Sequence, residues 1–579
     1  MILTSGGILL SQNTPSDRAG GPAQILNGDD VRAILTVAAS ALGNDTLAAA
    51  VVDRTGSILG VYSRPGADER SPDVAVSLAR AGAMFANDQA PLSSRTVRFI
   101  SGIHYPPGVK NTGTAALYGV ENINRGCKVD VQDDAVFNQP FPRPKSIAGV
   151  FGDGAGGTPL LCEPSDTRGC ARGGPMLDDQ GAPLSSVGVT TGKADVFDTG
   201  QDQLNAVPVN PGGIPVYRGG KVVGGVGVAG VSADLAEYAA TLASAGAGRG
   251  LDFSEPLGAP GAVFVDGLRL PFFGTCTNIP CIRRSLKTRP AGSSPGALSQ
   301  GTFAVQPRDG LQAPETYVLG PRGSAVAGGL SVDEVRRIID QSVAVAFRTR
   351  AMIRLPINQP ARMTISISDE TGAILALYRM PDGTVFSSDV AMTKARNAYY
   401  FSTRDGYDVL RAIAQNSTHD HYTWTPDPPA GKGWAITART ISFAGQPLFP
   451  PGVDLDEQLE DQDSAPQHGP WFDLYVYDSK NPCTEGPGAT RGGNRSYLNQ
   501  SGVVWFPGSV PLYRGDRVIG GLGVSGDGVE QDDYVSLLGS DGFHPPDSLR
   551  VDNSVMVDSK GRDVRLPYLK LPRNPEIQK

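Results

Sequence analysis

Two histidines stand two positions apart in the stretch "STHDHYTW", and on a β-strand that spacing puts the imidazoles of His419 and His421 on one side. Two imidazoles begin a metal site, yet no third ligand can be named beside them, and a solvated polar loop explains the pair equally well. Lys394 is a cation among small apolar positions in "SSDVAMTKARNAYY", close to Asp389. Such a lysine can anchor a carboxylate in a pocket, form an internal ion pair, or extend its ammonium to water. Arg95 and Arg439 each precede a threonine and can bind an anion, or tie a loop to a sheet through backbone carbonyls. Tyr513-Arg514, like Tyr217-Arg218, suits a sheet edge, with ligand contact the lesser alternative.

Gly225-Val-Gly227-Val-Ala-Gly230 and Gly521-Leu-Gly523-Val-Ser-Gly526 both spell G-x-G-x-x-G. A hairpin precedes each, where a dinucleotide site needs a parallel βαβ unit and an acidic residue about 20 positions on. The glycines instead predict a strand that a helix, or a flat ligand, approaches closely. HExxH and Walker sequences are absent, so motifs lend no support to an enzyme.

Six cysteines form two close couples, Cys162 with Cys170 and Cys276 with Cys281, and leave Cys127 and Cys483. No CxxC spacing favours a metal, so disulfides are expected, with buried thiols the alternative. That predicts a periplasmic or secreted protein, or else a cytoplasmic one, since "MILTSGGILLSQ" lacks a basic n-region and a long apolar core. A net charge of -8 without dense basic clusters argues against nucleic acid, and no apolar run reaches membrane-spanning length.

The elements that must position these residues come in two sets. "SRTVRFISGIHYPPGV" at 94–109 returns as "ARTISFAGQPLFPPGV" at 438–453, and at 579 residues the chain has room for two domains. Each copy opens with a capped amphipathic helix, Asn27 with Asp30 and Ser331 with Glu334 supplying the caps. A hairpin follows, turning at Asp53 to Gly56 or Asp369 to Gly372, then a helix of small residues. After a long insertion come another hairpin, a helix and a terminal hairpin.

The expected organisation is an extension at 1–25, a first copy at 26–273 with an insertion at 88–212, and a Pro/Gly/Ser-rich connector at 274–327. A second copy follows at 328–571 with an insertion at 403–508, then a tail at 572–579. The fold class is α+β: two tandem repeats, each an antiparallel sheet packed with helices in a profilin- or PAS-like layout, with long irregular insertions.

"LYRMPDG", "SSDVAMTKARNAYYFS" and "PLYRGDRVIGGLGVSGDGVEQDD" together resemble the GlcG/HbpS-like haem-binding family, formerly a domain of unknown function. The second copy carries the likeness best, through Arg379, Asp382, Asp389, Lys394, Gly523, Gly526, Gln531 and Asp532. The first copy has Leu78 in place of the lysine, and Asp234-Leu235-Ala236 in place of Glu-Gln-Asp.

The resemblance implies non-covalent binding of haem or a related tetrapyrrole or small ligand, in haem sensing, storage or handling, with a homo-oligomer or protein partner expected. CxxCH is absent, which excludes covalent c-type haem. Haem iron takes His, Met, Cys or Tyr, which makes His104, with His419 and His421, the candidate ligands, and hydrogen-bonded loop histidines the alternative. Lys394, Asp389, Arg439, Arg95, Tyr513, Gly523 and Gly526 complete the candidate ligand-binding set. Two other functions compete: a non-catalytic scaffold built on the duplicated fold, and an enzyme or accessory acting on a small organic substrate. Lys394 separates the first two, since a binding module places it on an open pocket and a scaffold covers it with an ion pair.

Overall fold

Asn27 opens helix α1 (Gly28–Ala41) with a complete capping box: its side chain accepts from Asp30 N, and the Asp30 carboxylate accepts from Asn27 N. Val31, Ile34, Leu35 and Ala38 recur at helical spacing and are buried. The structure is a computed structural model and describes residues 25–68, 71–102, 117–120, 123, 176–177, 183–185, 210–251, 263–265, 268–276, 279–417, 421–446, 449, 468–480 and 502–578.

The first half continues with strands β1 (Ala48–Asp53) and β2 (Ile58–Ser63), helices α2 (Ser71–Phe85) and α3 (Ser94–Gly102), strands β3 (Gly213–Arg218) and β4 (Lys221–Ala229), and helix α4 (Ala233–Gly246). Strands β5 (Thr302–Val305) and β6 (Thr316–Leu319) come next. The second half has α5 (Val332–Arg348), β7 (Thr364–Asp369), β8 (Ile374–Arg379), α6 (Ser387–Phe401), α7 (Arg404–Gln415), α8 (Ala438–Ala444), α9 (Phe472–Lys480), β9 (Ser509–Arg514), β10 (Arg517–Ser525) and α10 (Val529–Gly539). Ser331 and Glu334 form the capping box of α5.

Two five-stranded antiparallel sheets result, ordered β3-β4-β1-β2-β5 and β6-β8-β7-β10-β9. Their registers correspond residue for residue. Ala48 lies opposite Ala229 and Asp53 opposite Gly224, as Thr364 lies opposite Ser525 and Asp369 opposite Gly520. The first hairpins slip between Val51 and Val52 and between Ile367 and Ser368, and the second between Val216 and Tyr217 and between Leu512 and Tyr513. Matching irregularities come from matching chemistry at the turns. Asp53 Oδ1 accepts from Thr55 N and Ser57 N at 2.9 and 3.0 Å, and Asp369 Oδ1 from Thr371 N and Ala373 N at 2.8 and 3.1 Å. Gly56 and Gly372 supply φ of 85° and 79°.

The recurring phrase is a brace. Ser93 and Thr96 donate to the carbonyls of Phe272 and Pro271 at 2.6 and 2.7 Å, while Thr437 donates to Tyr568 O and Thr440 to Pro567 O. The intervening arginines reach the last helix of each half, Arg95 to Glu237 at 2.6 Å and Arg439 to Asp533 at 2.8 Å. The two Pro-Pro-Gly turns lie outside the described residues.

Two expectations need correction. The 274–327 segment is more than a connector, because it adds an edge strand to each sheet: β5 pairs with β2, and β6 with β8. Neither is the 403–508 insertion wholly irregular. Its helices bury Trp424, Trp434, Trp471 and Trp505 in an aromatic core that Tyr118 enters from the first insertion.

Candidate functional site

The glycines of the false dinucleotide motif set the helix against the sheet. A Cβ on Gly523 would lie 2.0 Å from Ala391 O, and one on Gly227 would lie 2.0 Å from Ala75 O. Helices α6 and α2 therefore rest directly on β10 and β4, and the expected close approach is made by a helix. That contact carries Lys394 of α6 over the end of β10.

There Lys394 is fully buried. Its Nζ donates to Val524 O at 2.9 Å and to Asp532 Oδ2 at 3.1 Å, and lies 4.9 Å from the centre of the Phe506 ring. Burial pushes the ammonium below its ordinary value, with the Asp532 charge opposing the shift. Burial likewise pushes the Asp532 carboxyl up to about 7, although Lys394 pulls it down. Asp532 Oδ1 is buried and meets no hydrogen-bond partner.

Asp532 also lines a partly open cavity of about 60 Å³ between the halves. At roughly 10–15 Å³ for each water, that is space for a handful of them. Phe85, Leu92 and Val97 come from the first half, and Met352, Phe386 and Phe506 from the second. The Phe85 and Phe386 rings stack with centres 4.0 Å apart, and Val385 N donates to Met84 O beside them. Ser525, Glu530, Gln531 and Asp532 make one end polar. Behind that end, fully buried Arg354 bonds both Asp527 and Asp382, and Asp382 Oδ1 accepts from Asp88 N of the first half at 2.9 Å.

The predicted residues are thus only partly brought together. Gly526 lines the cavity, but Lys394 does not: it is covered and ion-paired, as the scaffold alternative requires. Arg95 holds Glu237 and Arg439 holds Asp533 through Nε, while Arg439 Nη2 is buried and meets no hydrogen-bond partner. Gly523 is covered by α6, Asp389 is half-buried in the first turn of α6, and Tyr513 is buried in the aromatic core. His421 is exposed ahead of the short strand Thr423–Thr425, while His104 and His419 lie outside the described residues. Cys276 and Cys281 form a disulfide; Cys127, Cys162, Cys170 and Cys483 lie outside the described residues.

Among the described residues no cluster of His, Cys, Asp and Glu is arranged to hold a metal, and no helix is long and apolar enough to cross a membrane. Gly292-Ser-Ser294-Pro-Gly296 spells the Gly-x-Ser-x-Gly of hydrolases, but it is an exposed loop without the strand-to-helix elbow that activates such a serine.

Met352 and the cavity itself escaped the sequence reading, because the cavity exists only where the halves meet. Asp532 had a signal. The two positions that differ together between the copies, Leu78 for Lys394 and Ala236 for Asp532, flank corresponding glycines in the fold: a Cβ on Gly212 would lie 3.2 Å from both Leu78 Cδ1 and Ala236 Cβ, and one on Gly508 would lie 2.7 Å from Lys394 Nζ and 2.6 Å from Asp532 Cβ.

Fold and site together define an α+β protein with two corresponding sheets and a largely apolar cavity beside the buried Lys394–Asp532 and Arg354–Asp527 ion pairs. Residues 472–539, which run from α9 through α10, match the family model described as haem degrading protein HbpS-like, so the family resemblance is real and falls in the second half. A crystal structure of a PduOC:heme complex is 19% identical over 37% of this chain and 99% of its own, with a TM-score of 0.18. Klebsiella pneumoniae protein ORFY is 16% identical over 35% of this chain and 86% of its own, with a TM-score of 0.16. Scores that low lend the fold no support, which rests on the sheets themselves. No curated protein matches the sequence significantly.

Proposed function

We propose that this protein is a non-catalytic binding protein of the haem-handling kind, holding a small, largely apolar ligand non-covalently in the cavity between its halves. The observation that carries the reading is the cavity's composition: aromatic and aliphatic walls from both halves, with Ser525, Glu530, Gln531 and Asp532 at one end. The matching registers support a duplicated domain whose second copy keeps the site, while Leu78 and Ala236 leave the first copy without it. The Cys276–Cys281 disulfide supports an oxidising, extracytoplasmic compartment.

A haem-type tetrapyrrole is the ligand that the family match brings forward. The described lining does not fit a haem as it stands: the space suits a few waters, and no Lys, Arg or His faces it to meet propionates. Its one haem-iron donor is the Met352 thioether.

The scaffold reading keeps one observation in its favour, the covered Lys394–Asp532 pair. A hemin titration of the full chain followed by absorbance decides between them, with Met352→Ala and Phe386→Ala alongside. A saturable Soret shift that either substitution weakens places a tetrapyrrole in this cavity. If hemin in excess gives no shift, and small apolar probes give no heat of binding either, the scaffold reading replaces this one.

A further inference from the structure

The two sheets end on corresponding strands that are finished differently. Each sets an aromatic ring opposite a tyrosine, Phe303 of β5 opposite Tyr62 and Tyr317 of β6 opposite Tyr378. In the first half the residues just before β5 cover that pair. Leu298–Gln300 form a short helical turn against α1, with Leu298 packed on the core and the Gln300 carboxamide accepting from Ala297 N at 2.8 Å. Tyr62 donates to Ala297 O at 3.2 Å, a Cβ on Gly301 would lie 2.7 Å from Tyr62 Cζ, and Tyr62 is fully buried. Arg32 lies 4.8 Å from the centre of the Phe303 ring.

The second half leaves its pair open among the described residues. Tyr378 is half-buried and Tyr317 is 37% exposed, their rings edge-on with centres 4.9 Å apart. Met380 stands where Arg64 donates to the Tyr62 hydroxyl, and Arg336, the counterpart of Arg32, is turned to Asp333. The tail pairs instead with the end of α5, where Arg350 N donates to Pro575 O and Ile577 N to Arg348 O. Burial, and after it the Asp340 carboxylate of α5, raise both phenols above their ordinary value, so an exposed acid stands beside the rings.

The covering sequence occurs a second time. Leu298-Ser299-Gln300-Gly301-Thr302 is matched by Leu10-Ser11-Gln12-Asn13-Thr14, which keeps the leucine that packs, the glutamine that caps and a turn-forming residue after it. Residues 10–14 lie outside the described residues, but the chain leading to them starts close by. Leu26 O accepts from Gly310 N at 2.7 Å, and Thr316 of β6 is six residues beyond Gly310, at most about 22 Å of extended chain. The thirteen residues from Leu26 back to Asn13 span up to about 45 Å.

We infer that the open face over Tyr317 and Tyr378 is a docking surface whose occupant is this chain's own segment 9–13, with Leu10 against the rings and the Ser11 and Gln12 donors toward Asp340. Docked there, the segment shields an edge strand otherwise open to pairing with another chain. This assignment does not depend on reading the cavity as a ligand site.

Acetylation of tyrosines by N-acetylimidazole, mapped by mass spectrometry on the full chain, tests it. Leu10→Asp is expected to speed modification of Tyr317 and Tyr378 about fivefold or more, while Tyr62 stays unreactive in both proteins and reports an intact fold. A synthetic peptide of residues 6–14 added to that variant is expected to restore the protection, and the same peptide carrying Leu10→Asp to leave the rates as they were. Unchanged rates in the Leu10→Asp protein overturn the assignment, as does a peptide that gives no protection. Rates in the unaltered protein that rise on dilution place the occupant on a second copy and overturn docking within one chain.

Discussion

Leu78 against Ala236 in the first half, and Lys394 against Asp532 in the second, occupy corresponding places on helices pressed by glycines onto corresponding strands. In the first half the two side chains join separate apolar clusters, and in the second they form a buried ion pair whose Asp532 Oδ1 has no partner. The backbone accommodates either solution with the same registers and the same slips, so the charges are not needed to make this fold. A buried pair adds little net stability over apolar side chains of similar volume, because desolvation offsets the attraction. The second half nonetheless carries the pair, and its Asp532 is the member that borders the cavity.

The comparison breaks most visibly when one partner is removed. Asp532→Ala leaves the Lys394 ammonium buried and is expected to lower stability by about 3–5 kcal/mol, measured as a shift of the urea midpoint. Adding Lys394→Leu to that variant is expected to restore most of the loss. In the first half, Leu78→Lys alone is expected to be damaging and Ala236→Asp to relieve it. If the second substitution restores nothing in either half, the two places are not equivalent.

Acidity sharpens the same contrast. Asp532 holds its proton up to about 7 in the fold, against about 3.9 for an unfolded aspartate, so the folded state binds that proton more tightly. Relative to the Lys394→Leu/Asp532→Ala variant, its contribution is fully present below about pH 4 and lost as pH rises through 7. The slope between those limits reaches at most about 1.4 kcal/mol per pH unit. Lys394 acts on the alkaline side: its value is depressed by burial, so its contribution is present above about 10.5 and lost as pH falls through its folded value. Parallel stability curves for the two proteins between pH 4 and 7 would remove Asp532 as the titrating group.

Glycine substitutions should instead treat the halves alike. Gly227→Ala and Gly523→Ala each push a Cβ against a helix carbonyl oxygen, 2.0 Å away before relaxation. Each is expected to cost about 1–3 kcal/mol, read from the melting temperature, because the helix must lift from the strand. A large difference between the two would mean that only one half depends on that close approach.

Much of this was legible in the sequence because it is local. The Asp-x-Thr-Gly turns, the helix caps and the small-residue helix faces are set by neighbours within four residues, and the duplication doubled each signal. The edge strands Thr302–Val305 and Thr316–Leu319 were not legible, since four residues among prolines and glycines display no period and are strands only because β2 and β8 offer them an edge. The cavity was hidden for a deeper reason: Phe85 and Phe386 are far apart in sequence and meet only when the halves dock. For Lys394 the internal ion pair is one of three alternatives the sequence leaves open, because spacing along α6 says nothing of the acid that α10 brings to it.

The smallest expected effect lies at the capping boxes, where the halves differ by burial. Asp30 is nearly inaccessible and is held by Asn27, Arg218 and Arg249, whereas Glu334 is partly exposed and paired with Arg514. Burial raises both carboxyl values, yet the capping hydrogen bonds and arginines outweigh it, and both end lower than usual. Water competes for Glu334 as it does not for Asp30, so Arg514→Ala is expected to cost no more than about 1 kcal/mol, and less in high salt. Arg218→Ala is expected to cost more and to keep its cost in salt, since it strips a charge-assisted bond from a buried acid. Equal and salt-sensitive losses in the two variants would mean that Asp30 is reached by water, and that the first helices of the two halves are anchored alike.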